Sequence, residues 1–237
     1  MASLLAIDCG NSVLKWGLHR DGAWERKDAV PLGALVRLEP QWRALGTVDK
    51  VAVSNVAGQA VGLEIERLIA RWPVRAIHVA PKPSECGVVN RYEPPERLGA
   101  DRWAALIGAR ALERGACLVV DAGTATTADI LGADGAFRGG VILPGIDLMK
   151  RALAQHAAQL SLAEGQVVAE PRRTADAIET GCVLAQAGAI ERLYAGMEPG
   201  AACLLSGGNS AKVARALRIE TRLVDNLVLE GLLRIAG

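Results

Sequence analysis

Short apolar runs alternate along the chain with stretches of helical periodicity, and one arrangement of them occurs twice. Residues 4–7 form an apolar run typical of a buried strand, and an Asp-x-Gly turn follows at 8–10. Residues 117–120 and 121–123 repeat this arrangement in the second half of the chain. In each half a second predicted strand follows, and it ends at an Asp-Gly pair that indicates a hairpin. Similarity at a fixed offset predicts a duplicated unit.

The remaining pattern predicts further strands and helices. Runs of small, apolar or β-branched residues predict strands at 51–54, 76–79, 203–206 and 221–224. Apolar residues at helical spacing predict helices at 62–71, 102–114, 147–160, 174–194, 211–217 and 227–235. We expect Gly115 to end the second of these helices and Thr174 to cap the fourth. Residues 81–97 hold four of the ten prolines, so we expect an ordered loop there.

This alternation predicts an α/β fold with mixed sheets and internal duplication. We expect two lobes, the first spanning 1–114 and the second 115–237. At the constant offset that relates Asp8 to Asp121, Ala128 in the second copy matches Lys15 in the first. The two copies are therefore expected to differ in charge.

Composition and charge narrow the classes of function. The formal net charge is +1, which argues against a chain built to bind nucleic acid or an anionic membrane surface. From the N-terminal residues we expect no signal peptide, and no apolar stretch approaches the ~18–20 residues of a membrane span. The five dispersed cysteines form no Cys-x-x-Cys pair and predict a reducing cytoplasm. The three histidines have no neighbour at metal-ligand spacing, which argues against structural zinc.

The paired Asp-x-Gly turns are the strongest candidates for chemistry, because neither a P-loop motif nor a Gly-x-Gly-x-x-Gly turn occurs. Gly10 and Gly123 would let main-chain amides approach a phosphate. Lys15 could reach a phosphate as a point charge, and Asp8 could hold Mg²⁺ through water. Side-chain donors at the same turns are Asn11, Ser12 and Thr124. A single copy is more often a plain β-turn, whereas two copies in matching contexts favour phosphate binding.

A second group of candidates lies before the second copy. Asp101 opens a predicted helix, where it could cap the helix or take the proton from a substrate hydroxyl, and the spacing alone favours neither. Arg102 could hold a carboxylate through two hydrogen bonds, or it could be a solvated residue of the first turn. Tyr92 could line a pocket or simply pack. The glycines in residues 139–145 could mark tight packing, a turn or a ligand contact. The glycine-rich turn at 206–209 would suit a nucleoside or a phosphate, and it is a weak signal alone.

At these residues the sequence resembles the type III pantothenate kinases, a branch of the actin-like ATPase superfamily that includes proteins named Bvg accessory factors. The matching signatures are Asp8-x-Gly10-Asn11-Ser12-x-x-Lys15, Gly99-x-Asp101-Arg102 and Asp121-x-Gly123-Thr124-Ala125-x-Thr127. The Gly-Gly-x-Ile-x-Pro-Gly segment at 139–145 and Leu-x-Leu-Glu-Gly-Leu at 227–232 match as well. The resemblance covers essentially the whole chain, and the set in this order is specific.

The resemblance implies two ribonuclease H-like lobes and an ATP-dependent phosphorylation of pantothenate to 4′-phosphopantothenate, the first step towards coenzyme A. It implies ATP binding by Asp8, Cys9, Gly10, Asn11, Ser12, Val13, Leu14, Lys15 and Thr124. It implies pantothenate binding by Tyr92, Gly99, Ala100, Asp101, Arg102 and Thr180, with Asp101 as the proton acceptor. Asp8 would hold Mg²⁺ through water, and Asp121 would bind a monovalent cation, K⁺ or NH₄⁺. The family's homodimer would bring Thr180 to the neighbouring site.

Two departures and two rival functions accompany this resemblance. Ser12 replaces the usual Thr and keeps the hydroxyl, whereas Asn209 stands where the family often has Asp, which puts the nucleoside contact in doubt. One rival is another kinase or phosphatase of the superfamily, although those chains are usually longer and lack Gly-x-Asp-Arg. The other is a nucleotide-binding regulator that has lost catalysis and acts through a protein partner. The residues that argue against this loss are intact: Asp8, Lys15, Asp101 and Asp121.

Overall fold

The structure is a computed structural model that describes residues 3–156 and 164–237. Contacts divide the chain into two compact units. Unit 1 comprises Met1–Arg114, Gly135–Phe137 and Asn226–Gly237, and unit 2 comprises Gly115–Asp134 and Arg138–Asp225. The lobes expected at 1–114 and 115–237 remain a prediction; in the division by contact, the C-terminal segment groups with unit 1.

The predicted helices and strands occur in their predicted order, and further short elements lie between them. The strands are β1 (Leu4–Cys9), β2 (Val13–Arg20), β3 (Ala23–Pro31), β4 (Lys50–Asn55), β5 (Ile77–His78), β6 (Ser84–Glu85), β7 (Val88–Asn90), β8 (Cys117–Ala122), β9 (Ala125–Leu131), β10 (Ala136–Pro144), β11 (Ala202–Ser206) and β12 (Arg222–Leu223). The α-helices are α1 (Leu38–Arg43), α2 (Gln59–Ile69), α3 (Ala100–Leu112), α4 (Ile146–His156), α5 (Thr174–Tyr194), α6 (Ser210–Ala214) and α7 (Leu227–Ala236), and 3₁₀ turns lie at Leu32–Arg37 and Pro95–Arg97.

Unit 1 is built on a five-stranded mixed sheet in the order β3-β2-β1-β4-β5. Strands β1, β2 and β3 are antiparallel neighbours, whereas β4 runs parallel to β1 and β5 parallel to β4. The turn between β2 and β3 has φ of 52° at Asp21 and 84° at Gly22. Two consecutive positive values are those of a type I′ turn, which explains the Asp-Gly pair found in the sequence.

The two faces of this sheet pack against different parts of unit 1. Leu5, Ile7 and Cys9 of β1 enter a cluster that contains Trp16 and Trp42, whose rings meet edge to face at 6.1 Å. Because side chains alternate along a strand, Asp8 lies on the opposite face. Helix α7 packs against β1 and β4, and α3 packs against α7 and β4. The core of unit 1 therefore has an aromatic centre.

Helices α3 and α7 approach closely because glycine occupies the crossing. A Cβ atom at Gly231 would lie 1.8 Å from the carbonyl oxygen of Ala104, and one at Gly108 would lie 2.2 Å from that of Leu227. Both values are far inside van der Waals contact, so larger residues would force the helices apart. The Gly in the terminal Leu-x-Leu-Glu-Gly-Leu segment thus has a packing role.

Three local expectations are wrong. Residues 84–90 form a hairpin of β6 and β7 within the expected loop, because the prolines flank this segment and Cys86 and Gly87 turn it with φ of 50° and 79°. Helix α3 ends at Leu112, since Glu113 is already extended with φ −136° and ψ 124°, so Gly115 does not end it. Helix α5 has its N-cap at Arg173 and not at Thr174.

Unit 2 repeats the topology of unit 1. Its strands lie in the order β12-β11-β8-β9-β10, which corresponds position by position to β5-β4-β1-β2-β3. Strand β8 is antiparallel to β9 and parallel to β11, as β1 is to β2 and β4. The first two residues of β10, Ala136 and Phe137, group with unit 1 and pair with Val89 and Asn90. The predicted duplication and mixed sheets are confirmed.

The duplicated hairpins differ by one residue in their turns. In unit 1 Asp8 lies opposite Lys15, whereas in unit 2 Asp121 lies opposite Thr127. The constant offset predicted Ala128 as the counterpart of Lys15, and this is wrong because the turn after β8 is shorter. The hydroxyl of a threonine therefore takes the place of the first copy's ammonium group.

Helix α4 is described for Ile146–His156, and the rest of the predicted helix, 157–160, lies outside the described residues. Across the ranges that the structure describes, no helix combines the length and apolarity needed to span a bilayer.

Gly231→Ala is expected to destabilise unit 1, because the added methyl group meets the carbonyl of Ala104 at 1.8 Å. Overpacking of this kind costs about 1–3 kcal/mol, and the free energy of unfolding from denaturant titration measures it. Gly33→Ala is the matched control, since nothing lies within 4 Å of its added Cβ. Equal unfolding midpoints for the two variants would contradict the close helix approach.

Candidate active site

The short turn between β1 and β2 spans residues 10–12. The amide of Gly10 donates to the carbonyl of Val13 at 3.2 Å, which closes the turn. A Cβ at Gly10 would sit 3.4 Å from that same carbonyl, an ordinary van der Waals contact. Asn11 and Ser12 are exposed at its tip. Exposed polar groups on a tight hairpin are suited to a phosphate.

Three side chains form a row across the sheet at this turn. Asp8 on β1 pairs with Lys15 on β2 and with Ser54 on β4. Directly paired residues of neighbouring strands project to the same face, so the ammonium, carboxylate and hydroxyl groups share one side of the sheet. Asp8 is 8% exposed and Ser54 is fully buried. The sequence reading took Ser54 for part of a buried strand and missed its place beside Asp8, which only strand register reveals.

Other residues of the first signature face the core. Cys9 and Leu14 are fully buried among the apolar side chains of unit 1, so only their main chain could meet a nucleotide. Burial, and to a smaller extent the neighbouring Asp8 carboxylate, raises the pKa of the Cys9 thiol to about 11. The thiol therefore stays protonated near neutral pH and is not a nucleophile.

The start of α3 holds Asp101 against a glycine. A carboxylate oxygen of Asp101 accepts from the amide of Arg102 at 2.8 Å. The same oxygen lies 2.5 Å from the position that a Cβ at Gly99 would take. Gly99 is the N-cap of α3, and its carbonyl accepts from the amide of Trp103 at 2.9 Å. Glycine in Gly-x-Asp-Arg thus makes room for the aspartate side chain.

Arg102 is held by two aromatic rings. Its guanidinium carbon lies 5.7 Å from the ring centroid of Tyr92 and 5.7 Å from that of Phe137. The rings themselves are 6.2 Å apart and inclined by 17°. Arg102 is only 6% exposed. A cation over aromatic faces is stabilised electrostatically, and here the contact also fixes the direction of the side chain.

Asn90 organises the loop that carries Tyr92, and the sequence reading missed it. Its side-chain oxygen accepts from the amide of Tyr92 at 3.0 Å, and its side-chain nitrogen donates to the carbonyl of Pro95 at 3.0 Å. Asparagine commonly binds the main chain two residues ahead in this way. In the sequence, the signal for this turn was the Asn-x-Tyr spacing beside prolines.

In unit 2, glycines enclose the carboxylate of Asp121. One of its oxygens lies 2.5 Å from the position of a Cβ at Gly207, and the other lies 3.5 Å from that at Gly123. Gly207 has φ of +98°, a conformation that glycine adopts without strain. Ser206 pairs with Asp121 across β11 and β8, as Ser54 pairs with Asp8. Both copies therefore place a serine beside the aspartate.

The neighbouring glycines and Asn209 support the turn of unit 2. The amide of Gly145 donates to the carbonyl of Thr124 at 3.0 Å, and a Cβ at Gly145 would lie 2.3 Å from the carbonyl of Gly123. The amide of Asn209 donates to Ala122 at 3.0 Å. The glycines of residues 139–145 could serve packing or ligand contact, and the geometry at Gly145 favours packing. Thr124 itself is exposed.

Thr180 is buried on α5 and bonded within its own chain. Its hydroxyl accepts from the amide of Val168 at 3.1 Å. It also lies 3.4 Å from the carbonyl oxygens of both Gln166 and Val168, which are long distances for a donated bond. The hydroxyl hydrogen is thus weakly held.

One buried carboxylate links three helices of unit 2. Glu179 on α5 accepts from Lys150 of α4 at 2.5 Å and from Lys212 of α6 at 2.6 Å. Burial alone would raise the pKa of Glu179, but the hydrogen bonds from both lysines hold it below its ordinary value. Reciprocally, the bond to Glu179 raises the pKa of Lys150. The triad was missed because its members are far apart in sequence.

Metal ligands are sparse. Within residues 3–156 and 164–237, no three His, Cys, Asp or Glu side chains converge as a ligand set. Any divalent ion at Asp8 would therefore take most of its ligands from water and from a bound phosphate.

Comparison with known sequences gives consistent relatives. A sequence profile described as type III pantothenate kinase matches residues 4–196. The chain is 48% identical over 237 residues to the type III pantothenate kinase of Dechloromonas aromatica, with 98% of each chain covered. It is 49% identical over 246 residues to that of Aromatoleum aromaticum, covering 98% of this chain and 97% of the relative.

Solved structures share the fold at low sequence identity. A conserved Baf family protein from Campylobacter jejuni, a candidate transcriptional activator, matches with a TM-score of 0.63 at 22% identity, covering 98% of this chain and 96% of that one. The (R)-2-hydroxyglutaryl-CoA dehydratase component A of Acidaminococcus fermentans matches with a TM-score of 0.57 at 14% identity, covering 100% and 96%. With the duplicated sheets, these likenesses confirm the actin-like ATPase fold.

Glu179→Gln is expected to lower the free energy of unfolding at pH 7 by about 1–3 kcal/mol. This is less than the ~3–5 kcal/mol of a fully buried pair, because Lys212 is 41% exposed. Since the folded pKa of Glu179 is lowered, its stabilisation is fully present above the ordinary value of 4.5 and is lost progressively as the pH falls from there through the lowered folded value. Denaturant titrations at pH 7 and pH 4 should show the two proteins converging in acid.

Glu170→Gln serves as the control for this measurement. Glu170 forms an ion pair with Arg172 in which the side chains are 80% and 86% exposed, so its loss should not measurably change stability. A constant difference between Glu179→Gln and the parent protein at both pH values would refute the ionic role of Glu179.

Proposed function

The chain belongs to the type III pantothenate kinase family, and on that premise we propose how its residues share the reaction. The enzyme is an ATP-dependent kinase that transfers the γ-phosphate of ATP to the primary hydroxyl of pantothenate, giving 4′-phosphopantothenate for coenzyme A biosynthesis. The observation that carries our assignment of roles is the row of Lys15 and Asp8 at an amide-rich turn.

We propose that the first turn binds the phosphates of ATP. Gly10 leaves room for the main chain to approach an anion, and Asn11 and Ser12 add exposed donors. Lys15, opposite Asp8, would contribute a positive charge. The remaining residues of this stretch, Cys9, Val13 and Leu14, would act through their main chain.

Mg²⁺ fits this turn in its usual manner. The ion commonly binds through one or two carboxylates, several waters and substrate phosphates, and a single buried carboxylate beside a phosphate turn meets that need. Asp8 would hold it through water. When bound, Mg²⁺ would neutralise charge on the phosphate oxygens.

We propose Asp101 as the proton acceptor. Asp101 is partly buried at the start of α3, where Gly99 and the amide of Arg102 fix the position of its carboxylate. It would take the proton of the pantothenate hydroxyl as that oxygen attacks the γ-phosphorus and the bond to ADP breaks. Most of the acceleration would come from positioning, since phosphoryl transfer needs little covalent work from the protein.

Arg102 and Tyr92 would bind pantothenate. The substrate carries a carboxylate, and a guanidinium group can hold a carboxylate through two parallel hydrogen bonds. The rings of Tyr92 and Phe137 fix Arg102 before substrate arrives, which reduces the entropy lost on binding. Gly99 and Ala100 would contact the substrate through the main chain of the same turn.

In unit 2 we assign separate roles to Asp121 and Thr124. Asp121 would bind a monovalent cation, K⁺ or NH₄⁺, through its carboxylate, which lies against Gly207 and Gly123. Thr124, exposed at the tip of the shorter hairpin, would donate to ATP.

We propose a homodimer that uses one face of α5. Four exposed small or apolar residues lie at helical spacing on this face: Gly181, Leu184, Ala185 and Gly188. Nothing lies within 4 Å of a Cβ at either glycine, so the strip is open to a partner. Thr180 precedes the strip, and its weakly held hydroxyl hydrogen would be available to pantothenate in the neighbouring subunit.

We place the enzyme in the cytoplasm. All five cysteines are free, and Cys86 is the exposed one. An exposed free thiol is typical of a reducing compartment.

Asp101→Asn is expected to lower kcat by about 10²–10⁴-fold while leaving the fold and ATP affinity near those of the parent enzyme. The amide cannot accept the proton but has the size of the carboxylate. A coupled assay of ADP release with and without pantothenate measures the loss, and nucleotide titration measures the affinity.

Glu96→Gln removes an exposed carboxylate a few residues away and should behave like the parent enzyme. Near-normal turnover of Asp101→Asn would reject Asp101 as the base. ADP release that does not depend on pantothenate would reject the substrate assignment.

Leu184→Arg is expected to convert a dimer into 24.9 kDa monomers, because it places a charge on a side chain that is 56% exposed within the strip. Sedimentation velocity reports the mass of each species. Leu63→Arg, at a 64% exposed position on α2, should leave the dimer intact. A monomeric parent enzyme would rule out the proposed homodimer.

A further inference from the structure

We propose that Ser54 is a positioning residue of the Mg²⁺–ATP site, an inference that rests on the proposed role of Asp8. Ser54 is fully buried on β4. Among the residues that the structure describes, its hydroxyl has no hydrogen-bond partner. A buried polar group without a partner is rare in folded proteins and requires an explanation.

The position of Ser54 provides one. It pairs with Asp8 across parallel strands, and Asp8 pairs with Lys15, so the three side chains share one face at the end of β1. The hydroxyl therefore lies beside the one carboxylate of this hairpin. No other residue type at this position would offer a short donor of the same size, since cysteine donates weakly and alanine does not donate.

The unpartnered hydroxyl of Ser54 has a different energetic effect in the free protein and in the protein with Mg²⁺ bound at Asp8. A buried hydroxyl without a partner costs roughly 1–3 kcal/mol, so alanine would suit the free fold at least as well as serine. A change at Asp8, its partner on β1, can supply the missing bond. Loading of Asp8 with hydrated Mg²⁺ is such a change, because it brings water and reorients the carboxylate.

A second buried serine in the same unit shows what a structural role looks like. The hydroxyl of Ser3, at the other end of β1, donates to a carboxylate oxygen of Asp49 at 2.9 Å and accepts from the amide of Asp49 at 3.1 Å. It is satisfied without any ligand. Ser54 and Ser3 thus share burial and sheet but differ in their bonding, which makes Ser3 the natural control.

In the loaded site, the hydroxyl of Ser54 donates to the carboxylate of Asp8, directly or through one water. Carboxylates that hold metals are commonly hydrogen-bonded in turn, and loss of such a partner lowers metal affinity about 10–100-fold. Ser54 touches neither substrate nor reacting atoms and acts through Asp8.

The test measures Mn²⁺ affinity by electron paramagnetic resonance, in the full-length enzyme saturated with β,γ-imido ATP, together with the thermal midpoint of the free enzyme. Ser54→Ala should weaken Mn²⁺ binding about 10–100-fold and leave the thermal midpoint unchanged or higher. Ser3→Ala should do the reverse, lowering the midpoint without affecting Mn²⁺. Ser54→Cys, which keeps the side-chain size, should behave like Ser54→Ala.

Asp8→Asn distinguishes this inference from the metal site on which it rests. If Asp8→Asn weakens Mn²⁺ binding and Ser54→Ala does not, Ser54 has no positioning role and the metal site stands. If neither variant changes Mn²⁺ affinity, the assignment of the metal to Asp8 fails, and the role of Ser54 fails with it. A lowered thermal midpoint for Ser54→Ala with unchanged Mn²⁺ affinity would show a purely structural serine.

Discussion

The register of β1 between its two neighbours is the constraint on which the candidate site depends. Antiparallel pairing with β2 sets Lys15 beside Asp8, and parallel pairing with β4 sets Ser54 on the other side. A slip of one residue would turn Asp8 into the face occupied by Leu5 and the tryptophans. The apolar face of β1 therefore determines where the polar side chains lie, because a slipped register would bury the carboxylate of Asp8 in the apolar cluster at a large cost in free energy.

A second constraint places Asp101, the proposed proton acceptor. Asp101 and Arg102 belong to α3, and α3 is held against α7 by glycines at their crossing. The same helix start therefore fixes the acceptor and the group assigned to the substrate carboxylate. Two aromatic rings then fix Arg102, and Asn90 fixes the loop that delivers one of them. Small residues set the distances in this unit, and aromatic residues set the side-chain directions.

The sequence predicted well what local pattern controls. Helix α5 spans residues 174–194 as expected from its periodicity, and both Asp-Gly pairs lie at hairpin turns. It predicted poorly what depends on pairing between distant segments. The shorter second turn shifts the counterpart of Lys15 to Thr127, and the place of Ser54 beside Asp8 follows from strand register alone. Proline counting likewise hid the β6–β7 hairpin, since the prolines lie outside it.

The order of synthesis has a consequence for how unit 1 is completed. Its β1–β4 face is covered by α7, and one ring over Arg102 belongs to Phe137, so both pieces are translated after unit 2 has begun. A nascent chain that ends near residue 114 exposes an uncovered sheet face, and its arginine lacks one of its two aromatic contacts. Unit 2 has all of its segments before α7 leaves the ribosome. Unit 1, which carries Asp8 and Asp101, is therefore the last to be completed. Until α7 is available, its apolar sheet face stays exposed, and chaperone binding or aggregation would act at this stage.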